Sequence, residues 1–105
     1  MKLKYAVYQI NTERDANRLL FLNYERTMRD VGKIDMEIYD KVYEGEIQED
    51  EICGEFTLER IYFQLNIHRD QHPNFKGHSL SVSDIVEING MRWFCDSMGW
   101  CRLES

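Results

Sequence analysis

Glu44, Glu46, Glu49, Asp50, Glu51 and Glu55 crowd into one short window that holds no lysine or arginine. Carboxylates spaced along a chain can stand in for nucleic-acid phosphates before a protein groove lined with Arg and Lys. The ordinary reading of such a run is a solvated loop between a strand and a helix. Glu44 and Glu46 stand two apart, so on a strand they share a face and their charges add. A second group has the opposite sign. Arg14, Arg18, Arg26 and Arg29, followed by Lys33, make the N-terminal half locally basic. Part of that group falls at helical spacing, which suits a solvated helix face or a patch for RNA or an acidic partner.

Other chemistry finds less support. His68, His72 and His78 with Cys53, Cys95 and Cys101 are metal-ligand types, but Pro73 and polar neighbours place the histidine pair in a loop. Neither a Cys-x2-Cys nor a His-Glu-x-x-His pattern occurs, so no metal and no cofactor is expected. His78, Ser79 and Asp84 supply the letters of a nucleophilic triad without the strand–elbow–helix glycine pattern that builds one. Asp84, Glu87 and Asp96 are the scattered acids that a metal-dependent nuclease would need. No catalytic role is expected of any of them, and no phosphate-binding glycine loop is present.

The bulk numbers set the frame. A chain of 105 residues reads as one domain, 1–105, with enough length to bury a core. Hydrophobic residues at 43%, charged residues at 30% and a single proline describe an ordinary folded protein. No apolar stretch approaches membrane-spanning length, and Met1-Lys2-Leu3-Lys4-Tyr5 lacks the apolar core of a signal peptide. A cytoplasmic setting follows, with the three cysteines free unless Cys95 and Cys101 face each other across paired strands. The formal charge of −6 opposes direct nucleic-acid binding and favours a basic protein partner.

The elements that must position these residues follow from periodicity. Lys4 to Ile10 alternates as a first strand. From Ala16, Leu19, Leu20, Tyr24, Met28 and Val31 recur at helical spacing, ending at Gly32 as a C-cap. The alternative is a break near Leu22-Asn23, with Arg18 to Leu22 extended and Asn23 capping a shorter helix. Ile34, Met36 and Ile38 alternate, and Tyr39 to Ile47 is strand-like. Thr57 caps a helix in which Phe56 staples onto Ile61 and Leu58, Ile61, Tyr62 and Leu65 form the inward stripe. Asn66 to Gly77 reads as loop. Val82 to Ile88, the Asn89-Gly90 turn and Met91 to Cys95 form a hairpin; Asp96 to Gly99 turns again into Trp100–Leu103. Trp93 and Phe94 point to opposite faces, so one of them is a candidate exposed anchor. The class is α+β: a single small domain with an antiparallel sheet, about two helices and a C-terminal hairpin.

One run is too particular for generic packing: His72-Pro73-Asn74-Phe75-Lys76-Gly77-His78-Ser79-Leu80-Ser81-Val82-Ser83-Asp84-Ile85-Val86. With Thr57-Leu58-Glu59-Arg60-Ile61-Tyr62 before it and Phe94-Cys95-Asp96-Ser97-Met98-Gly99-Trp100 after it, the chain resembles the YodL-like domain family over about residues 56–104. Tyr8-Gln9-Ile10 and Tyr39 to Ile47 resemble the companion segment often fused to that module. Such modules are carried on plasmids, conjugative transposons and phages of Gram-positive bacteria. The resemblance, joined to a small acidic chain, implies an anti-defence inhibitor: a type II-A anti-CRISPR protein binding Cas9, or another host defence nuclease with a basic nucleic-acid groove. The other implied roles are an accessory protein-binding module of a conjugative element and an RNA-processing factor acting on the guide RNA.

Overall fold

The computed structural model describes residues 2–48, 54–67, 75 and 77–103. Five strands form one antiparallel sheet in the order β2-β1-β3-β4-β5. They are β1 (Lys2–Ile10), β2 (Tyr39–Gln48), β3 (Ile85–Ile88), β4 (Met91–Cys95) and β5 (Trp100–Arg102). Two α-helices, α1 (Tyr24–Asp30) and α2 (Gly54–Ile67), flank it, and Met36–Ile38 makes a 3-10 turn ahead of β2. This is the α+β domain that the periodicity predicts, with its C-terminal hairpins.

Strand alternation divides the apolar residues between two faces. Leu3, Tyr5 and Val7 of β1 lie beside Ile47 on one side and Ile88 and Val86 on the other. Helix α2 lays Leu58, Ile61 and Leu65, all fully buried, over that face. Ile10, Ile85 and Phe94 occupy the second face with Leu19, and α1 and the 11–38 segment cover them there. The β1–β2 register slips between Val7 and Tyr8, so that Val7 meets Tyr43 but Tyr8 meets Lys41. Val42 is the extra residue, and the slip turns Tyr39 onto the second face to pack beside Ile10. At the other end, Asn89 (φ 52) and Gly90 (φ 80) are both left-handed, as a two-residue hairpin turn requires.

Several expectations need correction. The helix from Ala16 to Gly32 does not form as one piece. Arg18 (φ 56) and Phe21 (φ 69) are left-handed, and the Asp15 carboxylate accepts from the N–H groups of Leu19 (2.8 Å) and Leu20 (3.0 Å). A side chain that bonds nearby backbone in this way competes with the helix ladder. The helix that forms is the shorter one capped by Asn23, whose Oδ1 accepts from Arg26 N at 2.8 Å. The residues between Arg18 and Leu22 make turns rather than an extended segment. Ile34, Met36 and Ile38 lead through the 3-10 turn, whose start the Asp35 side chain caps. Thr57 is no cap: α2 begins at Gly54, leaving Thr57 buried inside its first turn. The Phe56 staple lies outside the described side chains. Asn66 and Ile67 belong to α2, and of the predicted loop only Phe75 and Gly77 are described beyond them. Val82 to Asp84 are not yet strand; β3 starts at Ile85. Of the two candidate anchors, Phe94 is fully buried and Trp93 packs partly buried against the core; Trp100 is buried as well, with Nε1 donating to Glu59 Oε1 at 3.1 Å.

Candidate functional site

The residues of the His72–Val86 run that the structure describes build a buried polar knot. Its centre is Asp84, with no exposed surface. Asp84 Oδ2 accepts from Gln9 Nε2 (3.0 Å) and from the Ser81 backbone N–H (2.8 Å). Gln9 Nε2 also donates to the carbonyl of His78 at 2.8 Å, which uses both of its protons. His78 Nδ1 therefore donates to Ser79 O at 2.7 Å rather than accepting from Gln9. His78 Nε2 and Asp84 Oδ1 are 3.9 Å apart, both buried and both without a hydrogen bond among the described residues. Burial drives the Asp84 carboxyl up to about 8, against the pull of the Ser81 and Gln9 bonds. Desolvation thus favours the protonated form of the Asp84 carboxyl in the folded chain.

Gly77 explains its own place in the run. A Cβ there would sit 1.8 Å from Gln9 Oε1, so only glycine lets the loop close over Gln9. Ser83 is left-handed (φ 83); its hydroxyl accepts from Phe21 N at 3.0 Å and its carbonyl from the buried Tyr39 hydroxyl at 2.7 Å. Phe21 stands edge-on to His78 with ring centroids 5.2 Å apart while remaining half exposed. The serines at 79, 81 and 83 therefore do not line one face of a strand: Ser81 Oγ donates to Ser79 O, and Ser83 faces the N-terminal segment. No serine hydroxyl bonds His78 among the described residues, and no three His, Cys, Asp or Glu there come together as a metal site. Glu87 sits on the second sheet face paired to Arg92 at 2.9 Å, and Asp96 accepts from Tyr24 N at 3.1 Å to satisfy the start of α1.

The acidic window divides in three. Glu44 and Glu46 are exposed on β2, the outer strand. Lys41 pairs with Glu44, drawing its carboxyl below the usual range, and Lys4 stands opposite Glu46 in the register. With Tyr8 and Glu87 these residues line an open basin of about 520 Å³. Glu49, Asp50 and Glu51 lie outside the described residues, and Glu55 lies in the first turn of α2 with its side chain outside them. The arginines do not form a common helix face. Arg14 clamps the start of β2, donating to Glu37 O and pairing with Asp40, whose carboxyl it holds below the ordinary value. Arg18 lies before the helix in a left-handed conformation; Arg26 and Arg29 are exposed on α1, with Glu25 3.8 Å from Arg29.

Cys95 and Cys101 are both free. Cys101 pairs with Phe94, not with Cys95, and the two belong to different apolar clusters. Cys53 is outside the described residues. The residues missed by sequence reasoning are Gln9, Asp15, Phe21 and Tyr39. Gln9 carried a usable signal, since it is a polar residue on the inward side of β1 between Val7 and the core. No described helix is long and apolar enough to cross a membrane.

A family model described as a YodL-like domain matches residues 4–105, extending well before the 56–104 stretch where the sequence motifs concentrate. Neither a curated protein nor a solved structure matches the chain.

Proposed function

The chain belongs to the YodL-like domain family, and from that premise we propose that it is a mobile-element inhibitor of a host defence nuclease. It acts by binding, as an anti-CRISPR protein on Cas9, in the bacterial cytoplasm. One observation supports the reading best: β2 is the outermost strand on its side of the sheet, and its exposed Glu44 and Glu46 are followed in sequence by the acidic run. Lys41 and Lys4 offset those two on the sheet. The weight of recognition therefore falls on Glu49, Asp50, Glu51 and Glu55, which bring four negative charges to a chain whose net charge is −6. A basic channel that holds a guide heteroduplex attracts such carboxylates in place of phosphates, steeply weakened by salt.

The test adds purified protein to Cas9 before or after guide RNA and reads DNA cleavage. Inhibition is expected when the protein precedes the guide, with the triple variant Glu49→Lys, Asp50→Lys, Glu51→Lys weaker by roughly tenfold or more. A folded triple variant that inhibits as well as the parent refutes the acidic contact. Inhibition of no Cas9 tested leaves an accessory module of conjugative elements, and a shortened guide RNA in the same tubes moves the function to RNA processing.

A further inference from the structure

Asp84 is covered without being compensated. Only its Oδ2 is bonded, to Gln9 and Ser81, while Oδ1 faces His78 Nε2 across 3.9 Å. At that distance the imidazole shields the carboxyl from water and makes no hydrogen bond to it. Apart from His78, no cationic side chain lies within ion-pair distance of Asp84 among the described residues. From the other elements, the Tyr39 hydroxyl of β2 and the Cys95 thiol of β4 face it, both held neutral chiefly by their own burial. Asp15 acts on the first of these, and Glu59 and Asp96 act on the second. An anion formed at Asp84 in the closed chain therefore has no bond or charge to replace the water it loses.

The cover itself is anchored at one point and lightly held elsewhere. Leu80 is buried and pinned by Asn66 of α2, its N–H donating to Oδ1 at 2.7 Å and its carbonyl accepting from Nδ2 at 2.9 Å. No backbone–backbone hydrogen bond ties His78 or Ser79 to the sheet among the described residues, and the His78 carbonyl is held by the Gln9 side chain. Phe21, half exposed, meets the imidazole edge-on. Phe21 (φ 69) and Ser83 (φ 83) are both left-handed and bonded to each other, a conformation that side-chain-bearing residues keep only where the surroundings impose it. We propose that His78 and Ser79 form a proton-gated lid, which closes over a neutral Asp84 and swings out about Leu80 when that carboxyl ionises. Opening brings water to the carboxylate and releases the His78 carbonyl from Gln9. Burial agrees in direction, since it pushes the closed carboxyl up to about 8 and opening returns it to its ordinary range. The open form then binds fewer protons, and the ratio of open to closed climbs about tenfold per pH unit between those two values. The lid is separate from the acidic edge, so it stands or falls independently of the inhibitor reading.

The experiment follows hydrogen exchange of the Gln9 side-chain amide in the intact chain by NMR, between about pH 5 and about pH 7. Divided by the intrinsic rate of a free amide, its exchange should rise about a hundredfold over that range. At every pH it should also stay faster, on the same corrected scale, than that of the Val7 backbone amide, buried in the central strand between β2 and β3. Asp84→Asn should abolish the rise, and His78→Gln should keep it. The proposal is overturned by corrected exchange of Gln9 that is level with pH, by corrected exchange no faster than that of Val7, or by a rise that survives Asp84→Asn and vanishes in His78→Gln. The first two results come from the parent chain alone, so they decide the matter even where a variant fails to fold.

Discussion

Replacing Asp84 by asparagine should remove the pH dependence that this buried carboxyl gives the fold between mildly acidic and mildly alkaline conditions. The carboxyl is fully buried and titrates at about 8, against an ordinary value of 3.8. Desolvation is the dominant cause, because an anion at this position exchanges water for the core. The sign follows from proton counting. Above about pH 4 the unfolded chain has released this proton, while the folded chain keeps it until about pH 8. The folded state then binds more protons, so stability falls as pH rises, by about 1.4 kcal/mol per pH unit across that window. The stabilisation is complete below the unfolded value and lost once pH exceeds the folded one. Between about pH 5 and pH 8 the loss comes to about 4 kcal/mol, allowing for levelling at the upper end.

Asparagine has nearly the same shape, keeps an oxygen to accept from Ser81 N and Gln9 Nε2, and does not ionise. Urea unfolding of both proteins at about pH 5 and about pH 8 measures the difference. The gap in stability should move by about 4 kcal/mol in favour of Asp84→Asn at the higher pH. Carboxylates such as Asp40, whose value is lowered by Arg14, contribute with the opposite sign, but they are common to both proteins and cancel. A stability difference that stays constant with pH refutes the argument. So does a carboxyl carbon signal for Asp84 that titrates near 4 in the folded protein.

Gly77→Ala should cost about 1–3 kcal/mol in urea unfolding, since its methyl group would overlap Gln9 Oε1 and push Gln9 off Asp84; unchanged stability would show that Gln9 is dispensable to the knot. Asn23→Ala should cost about 1 kcal/mol, whereas Asn23→Asp or Asn23→Ser should cost little, because each retains an acceptor for Arg26 N. Iodoacetamide followed by peptide mass mapping should find Cys101 alkylated well before Cys95, whose thiol burial pushes up to about 12; faster labelling of Cys95 would contradict its burial.

How far the sequence could be read depended on whether the deciding interaction was local. The Asn89-Gly90 turn and the Leu58, Ile61 and Leu65 positions of the α2 stripe are set by neighbours in the chain and formed as their pattern predicts, whereas Tyr62, expected in the same stripe, is exposed. The helix expected from Ala16 failed because Asp15, one residue before it, bonds the N–H groups that the helix would have used. Its residues are held instead by a distant partner, Ser83. Thr57 looked like a cap because its type suits one, yet it is buried against the core one turn inside α2. The shared face of Glu44 and Glu46 was legible as strand alternation, while the lysines that offset them come from register and turn geometry.

The most particular residues of the chain face inward, and that bears on where recognition must occur. Gly77, His78, Ser81 and Asp84 close onto Gln9 of β1. Ser83 binds Phe21 and Tyr39 from the other half of the N-terminal region. The run from the second half of the chain is thus the clasp that ties both halves into one unit, consistent with a family match that spans residues 4–105 rather than the second half alone. Most polar atoms of this clasp are engaged with one another, the exceptions among the described residues being the buried His78 Nε2 and Asp84 Oδ1, and its rim is formed by His78 and the half-exposed Phe21. On the proposed function, recognition then rests with the exposed Glu44 and Glu46 of β2 and the acidic run that follows them in sequence.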